Sequence, residues 1–453
     1  MKIITRFPPS PTGKLQLGNA RTALFNYLFA KKNGGSFYFR LEDTDRERSK
    51  KEYETDVIES LTWLGLDYDN GEVWRQSLRG EIYRNYLKKL VDQGRAYVSK
   101  ESELPVEVAA DFQSTKKSEG VKRAEVIRFK NPNKSLTFTD LIRGDITFDT
   151  TELGDFVIAK SMDEPIYHLA VVIDDAEMGI THVIRGEDGI SNTPRQILIQ
   201  EALGFPRPLY AHLPLILAPD RTKLSKRRGA IPVSEYRERG YIASAVVNYL
   251  TLLGWNSGTD QEIFSMEELT KVFDLTKVQK GGAIFNEEKM RSVNKEYLKK
   301  AGVEGLITHL PEILSKDRTA AQVQAIALML LDRISTYGDI KTELEAGEYD
   351  YLLKDPTYPT EMLKWKKAKS DPKEHLEKVL SVLEELPSDR FTIPGVKEAI
   401  FAYAEAKGKG DVLWPTRVAL SGEEQSPDPF TLGAMLGKER TLRRLLAAID
   451  MLQ

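Results

Sequence analysis

The sequence predicts an α/β fold: a doubly wound parallel sheet, split by an inserted α+β domain and followed by an all-α C-terminal region. Three observations lead to this prediction. Strand-like and helix-like segments alternate over the first half of the 453 residues, which is typical of βαβ units. Short β-like pieces among Lys, Asp, Asn and Gly interrupt that alternation between about residues 97 and 163. After about Ser234 the pattern is helical almost to the end.

Local signals define the individual elements. The first strand ends at Pro8 because each proline fixes its own φ and biases the preceding residue towards extended backbone. We expect strands at residues 2–7, 37–41, 125–129, 156–160, 171–173, 182–184 and 213–217. We expect helices at residues 17–32, 51–64, 81–93, 193–203, 243–253, 266–273, 285–298, 320–331, 373–386, 396–407 and 436–452.

Composition excludes several classes of protein. Hydrophobic residues make up 41% and charged residues 29%, with a net charge of -3, as in an ordinary soluble globular protein. No apolar run is long enough to cross a bilayer, and the short apolar stretch before Pro8 is not a signal peptide, so we expect a cytoplasmic protein. There is no cysteine, and the five histidines have no metal-ligand spacing, so we predict no disulfide, no zinc and no structural metal.

The first candidate site is the segment Pro9 to Asn19, where a strand leads through a stiff loop into a helix that opens near Gly18. A helix N-terminus offers unpaired N–H groups and a partial positive charge, which suit a nucleotide phosphate. Taken alone, the segment could equally be a proline-rich turn. The chain has neither a Walker A pattern nor a Rossmann glycine fingerprint, which disfavours a P-loop ATPase and an ordinary dehydrogenase.

The second candidate site is the basic segment Lys223 to Arg227, which continues through Arg228 to Gly229. Such a charge run is usually a solvated loop. It could also hold a triphosphate, because its cations would offset charge that builds during adenylyl transfer.

Together the two segments resemble the HIGH and KMSKS signatures of class I aminoacyl-tRNA synthetases. The wider resemblance is to the bacterial-type glutamyl-tRNA synthetase family, and it covers nearly the whole chain. The stretches that carry it are residues 12–29, 40–45, 167–196, 211–217, 248–255, 414–422 and 436–440. The resemblance implies a class I Rossmann-like nucleotide-binding domain and an enzyme that uses ATP with Mg²⁺ to attach glutamate to tRNA(Glu).

The resemblance also assigns roles to single residues. Arg6 and Arg185 match the arginines that face the substrate carboxylates, with Tyr167 beside them, and an arginine fork suits a carboxylate. Glu42 matches the acid that receives the α-ammonium, and Ser10 lies at a substrate-contact position. Without the resemblance, the arginines could be surface ion pairs and Glu42 a helix cap.

For catalysis the resemblance implies two sets of residues. The catalytic positions are Gln16, Gly18, Asn19, Lys223 and Lys226. The ATP-binding positions are Gly18, Glu187, Asp188 and Lys226. His182 is predicted to pack against the sheet rather than to titrate.

The sequence departs from the signatures or the family pattern at three positions. Asn19, at the last position of the first signature, is the least surprising, because this family often lacks histidine there. Gln16 stands where the signature has its first histidine, and a glutamine amide can still donate a hydrogen bond, although without a positive charge. We therefore expect catalysis to persist at an altered rate. Gly189 stands where many relatives carry a ring, so one adenosine contact is expected to be missing.

The predicted domains follow from the same resemblance. They are the two catalytic halves, residues 1–96 and 164–233, an acceptor-binding insertion at 97–163, a stem-contact domain at 234–310 and an anticodon-binding domain at 311–453. The protein is expected to be a monomer. The candidate anticodon contacts are Lys366, Lys367, Arg417, Lys438, Arg440, Arg443, Arg444, Trp365 and Trp414.

Three alternatives stay open at this stage. Gln16 is compatible with a catalytically impaired tRNA-binding paralogue. A shortened relative that glutamylates a modified base of tRNA(Asp) would lack the C-terminal helices, and a small-molecule adenylyltransferase would not need them. The sequence also leaves open whether tRNA(Gln) is a second substrate.

Overall fold

The computed structural model describes residues 2–45, 47–100, 125–224 and 231–453. The chain divides into two compact units, one of Met1–Arg237 with Ala243–Met290, the other of Glu238–Ile242 with Arg291–Gln453. The first unit is mixed α/β and the described part of the second is helical, which confirms the predicted fold class. The finer division into five domains stays a prediction.

The described strands belong to the first unit. They are β1 Ile4–Phe7, β2 Ser36–Leu41, β3 Trp74–Arg75, β4 Ala96–Lys100, β5 Glu125–Phe129, β6 Ser135–Asp140, β7 Gly144–Asp149, β8 Phe156–Ser161, β9 Glu164–Pro165, β10 His182–Gly186, β11 Leu209–Leu213, β12 Ile216–Leu217 and β13 Ala283–Ile284.

The strands form parallel sheets with an antiparallel insertion. Strands β1, β2 and β3 are parallel neighbours, as are β10, β11 and β6. The backbone N–H of Thr181 donates to the carbonyl of Ile4 at 3.0 Å, so β10 starts beside β1. Strands β4, β5, β8 and β9 form a separate antiparallel sheet. The carboxyl ends of β1 and β10 therefore lie at one edge, where α/β folds bind ligands.

The helices of the first unit cover the sheets. They are α1 Leu17–Lys32, α2 Lys51–Trp63, α3 Gly80–Asp92, α4 Tyr167–Glu177, α5 Thr193–Leu203, α6 Val233–Glu238, α7 Ala243–Leu252 and α8 Met266–Val272. A helix α9, Glu287–Ile307, follows and is interrupted by non-helical backbone at Gly302.

The second unit has its own apolar core. Its further helices are α10 Glu312–Ser315, α11 Ala320–Arg333, α12 Tyr337–Glu345, α13 Asp350–Leu353, α14 Pro372–Glu385, α15 Ile393–Lys407, α16 Lys409–Ser421 and α17 Pro429–Asp450. Leu330, Leu376, Val418 and Leu445 are among the fully buried residues at its centre. No helix of the described residues combines the length and apolarity that a membrane span requires.

The predicted strand at residues 171–173 is wrong, because Val171–Ile173 lie inside helix α4. A short apolar run does not distinguish a buried strand from a buried helix. Here the run from Leu169 to Ile173 is at most 2% exposed, so this part of the helix is buried on every side and shows no amphipathic period.

Smaller differences have local causes. The strand predicted at residues 213–217 is divided at Pro214, which has no N–H to donate to a ladder. Helix α17 begins at Pro429 rather than at residue 436, because Asp428 caps it by accepting from the N–H groups of Phe430 and Thr431. Gly437 then interrupts it with a φ of 77°. Helix α16 was not predicted.

Candidate active site

A cavity of about 620 Å³ opens at the carboxyl ends of β1 and β10. This volume is in the range of small-molecule sites, and the position is the one expected for a ligand in an open α/β sheet. Most of the predicted site residues line it: Arg6, Ser10, Gln16, Gly18, Asn19, Glu42, Tyr167, Arg185, Asp188 and Lys223.

Arg6 forms one wall of the cavity and is held by a carboxylate behind it. Its side chain is 2% exposed, and its Nε and Nη2 donate to Asp175 at distances of 3.2–3.3 Å. Its Nη1 is buried and has no partner. Because a guanidinium has five N–H donors, those of Nη1 stay available to a ligand. Arg6 is therefore not a surface ion pair.

A second arginine, Arg40, completes the anchor of Arg6. Its Nη1 donates to Asp175 at 2.8 Å and its Nη2 to Glu42 at 3.0 Å. Burial opposes ionisation of Asp175, but Arg6 and Arg40 hold its pKa below the usual value. Burial raises the pKa of Glu42, and Arg40 only partly offsets this. Glu42 is thus a buried carboxylate at the cavity wall rather than a helix cap.

The adjacent residue Asp174 joins helices α3 and α4. Its carboxylate is fully buried and accepts hydrogen bonds from Arg79 Nε at 2.8 Å, Gln76 Nε2 at 2.8 Å and Tyr83 Oη at 2.9 Å. A buried carboxylate is tolerated only when it is well hydrogen-bonded. The contacts of Asp174 fix the helix that carries Asp175, and so fix the anchor of Arg6.

Arg185, which also lines the cavity, is held without any carboxylate. Its Nε donates to His212 Nε2 at 3.1 Å, and its Nη1 donates to the Gln196 side chain at 2.9 Å. Its Nη2 donates to the Gly189 carbonyl at 3.0 Å and to the Thr193 hydroxyl at 2.8 Å. All four acceptors are neutral, so the guanidinium keeps an uncompensated positive charge beside the cavity. Its second Nη1 hydrogen is not used by these contacts.

The first predicted motif lies at the N-terminus of α1. Gln16 precedes the helix; its Nε2 donates to the Lys14 carbonyl at 3.0 Å, and its Oε1 is buried without a partner. A Cβ at Gly18 would meet nothing within 4 Å, so the backbone there is open to a ligand. Asn19 is exposed. The first turn of α1 therefore lies at the cavity, and the unpaired N–H groups of a helix N-terminus suit a phosphate.

The second predicted motif is described only at its start. Lys223 is mostly exposed, with its Nζ 3.8 Å from the carboxylate of Asp188. Lys226 and Arg227 lie outside the described residues. Glu187 does not line the cavity, because its carboxylate accepts from the Leu215 N–H at 2.9 Å and pairs with Arg143. The structure thus brings Asp188 and Lys223 to the cavity, but not Glu187.

Two further predicted residues complete the rim. Tyr167 is the first residue of α4 and is 38% exposed, with its ring against that of His168. Ser10 is exposed in the loop after β1. His182 packs at the sheet as expected: it is 9% exposed, its ring contacts Phe29, and burial lowers its pKa.

Sequence reasoning missed the residues that anchor the site. Asp175 and Arg40 were not assigned a role, although two consecutive acids after an apolar run are an available signal of buried ion pairing. Arg21, in α1, was missed too. It is 3% exposed, donates to the carbonyls of Leu253 and Pro214, and burial lowers its pKa to about 10.

In the second unit, several candidate anticodon contacts have partners within the protein. Lys438 Nζ donates to the carbonyls of Glu384 and Leu386 at the end of α14. Arg444 is 3% exposed and donates to three backbone carbonyls. The Trp414 indole donates to the Met362 carbonyl. These side chains stabilise the helical core.

Comparison with known proteins agrees with this geometry. The family model described as tRNA synthetases class I (E and Q), catalytic domain, matches residues 2–118 and 105–292, and an anticodon-binding domain model matches residues 282–449. A glutamate–tRNA ligase of Aquifex aeolicus (strain VF5) is 42% identical over 100% of this chain and 99% of the relative. Glutamate–tRNA ligase 1 of Syntrophomonas wolfei is 40% identical over 99% and 96%.

The chain belongs to the glutamate–tRNA ligase family. As a member of this class I aminoacyl-tRNA synthetase family, it is similar over its whole length to solved structures. The glutamate tRNA ligase of Elizabethkingia meningosepticum, solved in complex with its amino acid, matches with a TM-score of 0.86 and 34% identity over 100% of both chains. The synthetase of Elizabethkingia anophelis matches with a TM-score of 0.84 and 34% identity over 99% of this chain and 100% of that one.

Proposed function

We propose that this glutamate–tRNA ligase family member activates L-glutamate with ATP and transfers it to the 3′ end of tRNA(Glu). The observation that carries the proposal is the pair Arg6 and Arg185, which line one cavity with Glu42 at its wall and the start of α1 at its edge. A zwitterion with an additional carboxylate needs cations for its carboxylates and an anion for its amine, and this cavity supplies both.

Each wall has its own part in binding glutamate. The unpaired Nη1 of Arg6 and the remaining Nη1 hydrogen of Arg185 are the donors for the substrate carboxylates. Glu42 receives the α-ammonium. Glutamine has nearly the same shape, but its NH₂ group would point a donor at a guanidinium and leave both groups unpaired. Such a mismatch can cost several kcal/mol in a site built for hydrogen bonding.

The nucleotide is proposed to bind where α1 begins. Backbone N–H groups around Gly18, with Gln16 and Lys223, would contact the phosphates; Lys226 is part of the proposal from the sequence alone. Mg²⁺ prefers phosphate and carboxylate oxygens, and the exposed carboxylate of Asp188 fits that preference. The ion supplies charge stabilisation when it is bound with ATP.

The proposed reaction has two steps. An α-carboxylate oxygen of glutamate attacks the α-phosphorus of ATP, the bond to the bridging oxygen breaks, and pyrophosphate leaves. A terminal ribose hydroxyl of tRNA then attacks the acyl carbon, AMP leaves, and its phosphate takes the hydroxyl proton. The protein contributes positioning and charge stabilisation.

The test is aminoacylation of purified tRNA(Glu) and tRNA(Gln), each with glutamate and with glutamine. We expect glutamylation of tRNA(Glu) and no transfer of glutamine; the tRNA(Gln) result decides whether the enzyme accepts a second tRNA. Transfer of glutamine in preference to glutamate, or transfer of neither, would contradict the proposal. The proposal also includes a cytoplasmic location and a monomeric state. Light scattering on the purified protein would test the monomeric state.

A second candidate, an impaired tRNA-binding paralogue, is favoured only by Gln16. Its Oε1 is buried and unpartnered, and its Nε2 bonds a carbonyl rather than another side chain, so the amide is free to reorient towards a phosphate. For Gln16→Ala we expect glutamate-dependent pyrophosphate exchange, assayed with tRNA, to fall about tenfold, the effect of losing one hydrogen bond to a charged group. Unchanged exchange would remove Gln16 from the reaction, and no exchange by the wild type would favour the paralogue.

A further inference from the structure

A chain of hydrogen bonds runs from strand β6 through β11 to Arg185. Asp140 Oδ2 lies 2.7 Å from His212 Nδ1, and His212 Nε2 lies 3.1 Å from Arg185 Nε. Asp140 and His212 are at most 1% exposed. The three residues come from three adjacent parallel strands, so the sheet itself sets their spacing.

Two groups face His212 Nε2: Arg185 Nε at 3.1 Å and the Thr193 hydroxyl at 3.2 Å. Both can donate to a neutral imidazole whose proton is on Nδ1. Arginine can only donate, so His212 Nε2 must carry a lone pair to accept from Arg185. Nδ1 then carries the proton and donates it to Asp140. Asp140 also accepts from the backbone N–H groups of Ile142, Arg143 and His212, which fixes its carboxylate as an acceptor.

We propose that Asp140 and neutral His212 are positioning residues that hold Arg185 in the orientation needed to bind a substrate carboxylate, so that protonation of His212 releases Arg185. The three residues are called the Asp140–His212–Arg185 relay below. This inference rests on the proposed function and adds a determinant of glutamate affinity to it. An imidazolium at position 212 has no lone pair for Arg185 and places two like charges about 3 Å apart. The guanidinium of Arg185 then moves away from His212, and the substrate carboxylate loses its partner.

The surroundings keep His212 neutral. The charged groups that face it are Asp140 on β6, Arg143 in the following turn and Arg185 on β10; Tyr210 stacks on its ring from β11. Burial lowers the pKa of His212, the two arginines add to this, and Asp140 opposes it. Neutral His212 is thus the form that binds glutamate, and it is lost as the pH falls.

The experiment measures the KM for glutamate in aminoacylation between about pH 5 and pH 8, the range in which histidines titrate. Because the pKa of His212 lies below its usual value, we expect the wild-type KM for glutamate to rise at the acid end of this range, while the KM for ATP changes little. In His212→Gln the amide can donate to Asp140 and accept from Arg185 but cannot titrate, so its KM should rise less. Protonation of Glu42 also raises the glutamate KM at acid pH. This effect is the same in wild type and His212→Gln, so it cancels in the ratio of their KM values.

The matched control is His182→Gln, which removes a buried histidine from the first residue of β10 without touching Arg185. Its glutamate KM should follow the wild-type pH profile. Burial lowers the pKa of His168 to about 4, so that residue stays neutral across most of the range. An equal acid rise in wild type and His212→Gln, or a parallel rise in the KM for ATP, overturns the relay.

Failure of the relay and failure of the proposed function give different results. A wild-type enzyme that glutamylates tRNA, with a pH profile that His212→Gln does not alter, refutes only the relay. A wild-type protein that uses no glutamate at any pH refutes the function itself. If His212→Gln does not fold, Glu42→Gln replaces it, because that variant removes the other group that titrates at acid pH. An acid rise in the glutamate KM that persists in Glu42→Gln supports the relay, and one that disappears overturns it.

Discussion

The two arginines that line the cavity are held by different kinds of partner, one by a carboxylate and the other by neutral groups. Arg6 is fixed by Asp175 inside a buried network in which Arg40 and Glu42 also take part. Arg185 is fixed only by neutral acceptors. The first arrangement stabilises the fold and leaves little net charge, while the second leaves a full positive charge to attract an anion. A binding site can therefore divide rigidity and attraction between two residues of the same type.

The largest effect is expected on the Arg6 side, from Asp175→Asn. Removing the carboxylate charge leaves buried Arg6 without its counter-ion, while Arg40 keeps Glu42 and Asp174. Breaking a buried ion pair in this way costs about 3–5 kcal/mol in comparable sites. The melting temperature should fall sharply. Asp163→Asn is the control, because Asp163 pairs with Arg84 where both side chains are more than half exposed, and such pairs contribute about 1 kcal/mol or less. Similar melting temperatures for the two variants would refute the structural role of the network.

The second prediction separates the two arginines. Arg185→Ala should lower kcat/KM for glutamate about a hundredfold, equivalent to about 2.7 kcal/mol, with only a modest loss of stability, because its former partners are neutral. Arg6→Ala should lose comparable activity and also melt earlier, because Asp175 loses one of its two cations. Steady-state kinetics and thermal melts of both variants test this. An equal fall in melting temperature for Arg185→Ala and Arg6→Ala would contradict the proposed difference between the two arginines.

The third prediction displaces Arg185 without changing any of its acceptors. A Cβ at Gly189 would lie 2.5 Å from Arg185 Nε, so in Gly189→Ala the guanidinium must move. We expect the KM for glutamate to rise about tenfold, as for the loss of one hydrogen bond to a charged group. Gly80→Ala is the matched control, since a Cβ there meets nothing within 4 Å. An unchanged KM in Gly189→Ala would show that Arg185 can move without loss of function.

The smallest effect is the dependence of stability on pH. The pKa of Asp175 is lowered in the folded protein, so its stabilising contribution is present above the unfolded pKa of about 3.9 and is lost as pH falls through the lower folded value. The difference in melting temperature between wild type and Asp175→Asn should therefore shrink below about pH 4. A melting-temperature difference that grows as the pH falls would contradict the conclusion that the charged form of Asp175 stabilises the fold.

Much of the fold could be predicted because most helices and strands carry their own local signals. Helix α1 and strand β5 lie at the predicted residues, and α5 runs from Thr193 to Leu203 as expected. Helix α4 failed because burial on every side removes the periodic signal on which prediction depends.

The candidate site was predictable only for residues that face the cavity. Resemblance supplied Arg6 and Arg185, since their roles belong to a family pattern. Their anchors, Asp175 and His212, lie far from them in sequence, at separations of 169 and 27 residues. No local rule relates such positions, because it is the packing of α4 and the order of the strands that bring them together.

The separation between Arg6 and Asp175 has a consequence for how the chain matures. During translation, strand β1 emerges first, and Asp175 follows only 169 residues later. Until then Arg6 has no counter-ion and Arg40 has only Glu42, and burying an unpaired guanidinium would cost several kcal/mol. We therefore expect the N-terminal segment to stay hydrated on the ribosome until helix α4, which carries Asp175, has been synthesised.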